Sequence, residues 1–258
     1  MIKKRIIPKF LLEGRSLVKF TGFAHNRRLA GNPVSTAKVY NSYGVDEMIF
    51  LDILASVEAR QALLGAVREA AAEIFMPFTA GGGVRSLDDV NALLRAGADK
   101  VAVTTAAAES PSFIREAASA FGDQCITVGI DYRRTGPDRR EIFTHGGRSA
   151  RGLDPIEFAL RMQDAHCGEV LFSSIDHDGA MTGYDLDFIE RAADALDVPL
   201  IASGGCGSLE HCRQAFQTGA SAIAISSMFL FSDNSPIKVR SYLRSQGLEV
   251  RASASSRN

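Results

Sequence analysis

The stretch MPFTAGGGVRSLDDVNALLRAGADKVAVTTAA, starting at Met76, aligns without a gap on VPLIASGGCGSLEHCRQAFQTGASAIAISSMF, starting at Val198. The offset is a constant 122 residues: Pro77 falls on Pro199, Gly82 and Gly83 on Gly204 and Gly205, and Gly97 on Gly219. Thr104 and Thr105 fall on Ser226 and Ser227, and the same shift carries Glu47 onto Glu169. Solenoid units run to about 20–50 residues, so a repeat of this length divides the chain into two large halves instead. Within each half, short β-branched runs alternate with Ala/Leu/Arg-rich helical stretches, the pattern of βα units around a parallel sheet.

The expected strands are IIPKFLL, EMIFLDI, PFTA, KVAVTT, CITVGID, EVLFSSID, PLIAS and AIAISS. Helices are expected at about 33–43, 57–74, 86–96, 111–121, 153–166, 185–196, 208–218 and 236–246. Most of these strands are apolar throughout, as in a parallel sheet covered by helices. Eight βα units in 258 residues predict a closed (β/α)8 TIM barrel. The expected layout is a single barrel domain over 1–258, with half-barrels of about 1–122 and 123–247 and a short flexible tail at 248–258. An open doubly wound sheet lacks support, because no G-x-G-x-x-G follows the first strand.

A formal charge of -1 argues against nucleic acid as a partner. No apolar run approaches the roughly 20 residues needed to cross a bilayer, and MIKKRIIPKF does not resemble a signal peptide. The expected location is the cytoplasm, without a membrane partner. Cys125, Cys167, Cys206 and Cys212 form no C-x-x-C pair and have no His at ligand spacing, so reduced thiols and no metal are expected. No cofactor motif is present.

AGGGVRS and SGGCGS each join a strand end to a helix start. Glycine lets the backbone approach an anion closely, and backbone N–H groups at such a junction favour negative charge. Gly82, Gly83, Thr104 and Thr105 form one candidate phosphate cradle, and Gly204, Gly205, Ser226 and Ser227 the other. Two cradles in register fit a phosphorylated small molecule with a phosphate at each end. Asp131 ends the fifth strand, where a carboxylate serves acid–base chemistry. Arg5, Glu47, Lys100 and Glu169 open four strands, and four charges around a barrel mouth are expected to form two cation–carboxylate pairs.

The motifs RII, GNPV, VDEMIFLDILAS, PFTAGGG, GADKVAVTTAA, SIDHDGAMTGYD and PLIASGGCGSLEH resemble the cyclase subunit of imidazole glycerol phosphate synthase, from Arg5 to about Arg251. The isomerase that precedes it in histidine synthesis shares the two-half barrel but is less similar. The resemblance implies a heterodimer with a glutaminase subunit whose ammonia enters at the N-terminal face and meets a bis-phosphate at the other. It assigns Arg5, Glu47, Lys100 and Glu169 to the gate of that channel, Asp99 to the glutaminase interface, and Asp131, Lys19 and Asp176 to the catalytic site, with Asp178 also retained. The alternative for the four charges is a purely structural salt-bridge ring.

One position departs from the family pattern: the first strand carries Leu11, or Leu12 if the register slips, where the cyclase has its second acid. Glu13 is the nearest replacement. IIPxxLL resembles a paralogous branch associated with surface-polysaccharide sugars. There the barrel and its glutaminase are expected to supply ammonia to a third, ATP-dependent amidotransferase that makes an acetamidino group on a nucleotide-linked sugar. The alternatives are an active cyclase and a non-catalytic activator of the glutaminase.

Overall fold

A computed structural model describes residues 3–58 and 64–251. In the first half, strands β1 (Arg5–Glu13), β2 (Ser16–Thr21) and β3 (His25–Gly31) precede helix α1 (Pro33–Ser42). β4 (Met48–Asp52), α2 (Leu64–Ala71), β5 (Phe78–Gly81), α3 (Leu87–Arg95), β6 (Lys100–Val103), α4 (Thr105–Glu109) and α5 (Ser112–Phe121) follow. The second half runs β7 (Ile126–Arg134), β8 (Arg140–Thr144), β9 (Ser149–Ala150), α6 (Pro155–Asp164), β10 (Glu169–Ser174) and α7 (Leu186–Ala195). It ends with β11 (Leu200–Ser203), α8 (Leu209–Gln217), β12 (Ala222–Ile225), α9 (Ser227–Phe231) and α10 (Pro236–Ser245).

β1, β4, β5, β6, β7, β10, β11 and β12 pair in parallel, each with the next, and β12 returns to β1. The sheet is therefore closed, a (β/α)8 barrel with no exposed parallel edge. Alternation along each strand sends one set of side chains to the axis and the other out to the helices. Phe10, Phe50 and Phe78 belong to the outer set and meet edge to face between barrel and helices, at centroid distances of 5.7 and 5.3 Å. The repeat is visible in the elements: α3 and α8, β5 and β11, β6 and β12, and α4 and α9 begin 122 residues apart (209 − 87, 200 − 78, 222 − 100, 227 − 105). Even the helix caps match, since Ser86 accepts from Asp89 N as Ser208 accepts from His211 N.

The structure adds two hairpins to the expected layout and corrects two of its segments. The segment after β1 is an antiparallel hairpin of β2 and β3, and a second hairpin of β8 and β9 follows β7. The helix expected at 57–74 is described only as α2, with 59–63 outside the described residues. The segment expected as a tail is docked up to Arg251: Val250 bridges Lys4, and Arg251 N donates to Lys4 O at 3.1 Å. Residues 252–258 lie outside the described residues. No helix among the described residues is long and apolar enough to cross a membrane.

Candidate active site

The axis is built in levels. At the N-terminal mouth, Arg5 donates to Glu47 at 2.6 Å and to Glu169 at 2.8 Å, while Lys100 reaches the same carboxylates at 3.0 and 2.9 Å. Each cation thus spans both anions, a closed square rather than the two separate pairs expected. The remaining carboxylate capacity is taken by Thr79 Oγ1 on Glu47 at 2.9 Å and Thr127 Oγ1 on Glu169 at 3.0 Å. Small size at one position makes this possible: Ala222 stands where the repeat places Lys100 in the other half, and Arg5 is its register partner. Burial alone would raise the Glu169 pKa, but the pull of Arg5 and Lys100 and their hydrogen bonds hold it below the usual value.

Above the square lies an apolar cluster of Ile7, Ile49, Leu171, Ile201 and Ala224, joined by Ala222 at the level of the square. The next level holds Lys9. Allowing for the stagger of tilted strands in a closed barrel, the pairings place Gly81, Gly129 and Ser203 at its level. One long side chain fills space left by three small ones, and Lys9 is only 3% exposed.

The C-terminal mouth opens into a cavity of about 490 Å³, lined among others by Lys9, Leu11, Gly82, Gly83, Thr104, Thr105, Asp131, Ser173 and Asp178. That is within the range of small-molecule sites. Its walls include Phe20 and Phe23 of the first hairpin and His145–Gly147 of the second. A far smaller pocket of about 10 Å³, room for about one water, adjoins it and is lined by Lys9, Lys19, Asp178, Ser203, Gly204, Gly205, Ser226 and Ser227. Each expected cradle therefore faces a pocket, and the two pockets share Lys9 and Asp178. At Gly82 (φ +110) a Cβ would lie 2.2 Å from Asp52 O, and at Gly205 (φ +104) 1.9 Å from Gly183 O, so both loops require glycine. Ser203 Oγ and Ser226 Oγ are buried without a hydrogen-bond partner among the described residues.

Register distinguishes the two leucines. Leu11 pairs with Leu51 as Asp131 pairs with Ser173, whereas Leu12 packs in the outer core. Leu11 thus faces the cavity at the position equivalent to Asp131. Glu13 is held by Arg27 across the hairpin at 2.7 Å and does not line either pocket. Asp176 is exposed and accepts from Arg134 N at 2.9 Å; it also lines neither pocket. Asp178 is the inward carboxylate of that turn, bound by Lys19 Nζ at 2.7 and 2.6 Å. Asp99 is exposed at the opposite mouth, its carboxylate accepting from Phe78 N at 2.8 Å.

Lys9 was not among the expected site residues, although a signal existed: counting in twos from Arg5 puts Ile7, Lys9 and Leu11 on one face. Its Nζ lies 3.4 Å from Ser173 Oγ, and Ser173 is the register partner of Asp131. Burial lowers the Lys9 pKa, with Lys19 adding to that and Asp178 and Asp131 opposing it. Burial pushes the Asp131 carboxyl up to about 6, reinforced by Asp178 and opposed by Lys9 and Ser173. A folded-state value above the ordinary 3.8 disfavours the charged form, so Asp131 costs the fold stability as pH rises from about 4 to about 6. Carboxyl carbon-13 NMR should give an Asp131 midpoint near 6, and Asp178→Asn should lower it by removing a like charge. A midpoint near 4 in the wild type would contradict this account of the site.

The four cysteines are free; Cys206 and Cys212 touch at 3.4 Å between sulfurs, and that hydrogen bond together with burial pushes the Cys212 thiol up. A comparison with known families matches residues 5–235 to the one described as "Histidine biosynthesis protein". The barrel, its cavity at the strand ends and the match over residues 5–235 lead to one statement of kinship: the chain belongs to the histidine biosynthesis protein family, whose members are catalytic barrels of the isomerase and cyclase type.

Proposed function

We propose that this chain is the synthase-type subunit of a glutamine amidotransferase, taking ammonia from a separate glutaminase at its N-terminal mouth. Having lost one acid of the cyclase pair, it serves as a conduit. The ammonia goes to a third, ATP-dependent protein that forms an acetamidino group on a nucleotide-linked sugar for surface polysaccharide. The observation that carries the reading is the closed square of Arg5, Glu47, Lys100 and Glu169 across one mouth while Leu11 faces Asp131 at the other. Docking is supported by the same mouth's exposed residues: Phe75 is 90% exposed in the loop before β5, and Asp99 is exposed before β6. An active cyclase is less well supported, since Glu13 is engaged by Arg27 away from the cavity.

The test mixes the barrel with a glutaminase subunit of the cyclase type and follows glutamate and free ammonium. Complex formation and faster glutamine hydrolysis are expected; neither appearing would overturn the reading. Lys100→Ala should keep the complex and the hydrolysis but release ammonium to solvent instead of the C-terminal face. Lys100 is the more accessible cation, so water can reach the carboxylates it leaves. Unchanged ammonia transfer in that variant would make the square purely structural.

A further inference from the structure

The function proposed above gives no task to Lys9, yet burying an amine at the centre of a barrel is costly. Its position is specific. Lys9 lines both pockets, so it lies at the junction of the two cradles, beside the middle of any ligand that spans them. Its Nζ lies 3.4 Å from Ser173 Oγ, and Ser173 is the register partner of Asp131 on the neighbouring strand. Ser203 Oγ and Ser226 Oγ, buried and unpartnered among the described residues, are polar groups awaiting a ligand in the adjoining pocket.

We propose that Lys9 is a carbonyl-capturing nucleophile, whose amine condenses with the carbonyl carbon of a ketose or aldose phosphate seated between the cradles. The Nζ lone pair attacks the carbonyl carbon, and the carbonyl oxygen takes a proton from the Asp131 carboxyl to give a carbinolamine. The Asp131 carboxylate then accepts a proton from nitrogen and delivers it to the hydroxyl, which leaves as water. Amine, carboxylic acid and carbonyl become iminium, carboxylate and water, with atoms and charge balanced. Two features of the site suit this chemistry. Burial increases the share of free amine on Lys9, and Asp131, with a value of about 6, both gives and takes a proton near neutrality.

The inference rests on the cradles and not on the glutaminase pairing, so the two fail separately. The test incubates the full chain with ribulose bisphosphate, a ketose carrying a phosphate at each end, and adds cyanoborohydride to reduce any iminium. The expected product gains the mass of the sugar bisphosphate less one oxygen atom, on the peptide containing Lys9. Unphosphorylated ribulose at equal concentration should give at least about tenfold less adduct, because charge-assisted contacts to phosphate are absent. Lys9→Arg and Lys9→Met should abolish labelling, and Lys238→Arg, a surface control, should retain it. Peptide mapping of the wild type is decisive whatever the variants' folding. No adduct, or adduct on other lysines with Lys9 unmodified, overturns the proposal.

Discussion

With ammonium salts and the bis-phosphorylated cyclase substrate, the wild-type barrel is expected to show negligible turnover, and Leu11→Asp to raise it by about 10². The figure is the low end for one acid–base group, because the new carboxylate would enter a site that has adapted without it. Its position is right: Leu11 lines the cavity and holds the same place in the sheet as Asp131. Its charge is tolerable, since Lys9 lies two residues away on the same strand face, about 7 Å along the chain. The packing loss is small, as Leu11 sits at the cavity wall instead of in the outer core. Robust wild-type turnover would sink the conduit reading, because a barrel with Leu11 and a distant Glu13 has no evident second acid.

Arg5→Ala is expected to destabilise the fold by about 3–5 kcal/mol, the usual cost of stranding a buried charge. Arg5 bonds both Glu47 and Glu169, and removing it leaves two buried carboxylates facing one lysine. At about 2–4 °C per kcal/mol for a chain of this size, the melting temperature should fall by roughly 10 °C. Acidity should narrow the gap. The depressed pKa of Glu169 gives stability that is present above its ordinary 4.5 and lost as pH falls through the folded-state value. Melting curves of both proteins from neutral pH to about 4 check this; a gap that widens on acidification would contradict the account.

The parallel barrel was legible because its strands are apolar throughout and because one offset places strands, loops and caps in both halves. The two hairpins were not. His25–Gly31 carries the polar run HNRRLAG with almost every residue exposed, so no alternation marks it as a strand. Lys9 was hidden by the opposite effect: an apolar run reads as core, and a lysine inside it draws attention only once an inward face is assigned. Asp176 and Asp178 share a turn, and only the backbone path decides which one turns inward. The glycine loops were easier, since a glycine whose Cβ would meet a carbonyl oxygen near 2 Å leaves a mark in composition.

The square at the N-terminal mouth has two positive and two negative corners, so it is an electrical quadrupole. Its field decays faster with distance than that of a single charge, and an approaching ion is neither drawn in nor repelled until it is at the corners. There an ion would still have to shed its hydration shell and compete for partners already satisfied. A neutral solute has far less hydration to surrender. The square bears no net charge of its own, and a place at its corners costs an ion of either sign more than it costs a small uncharged molecule.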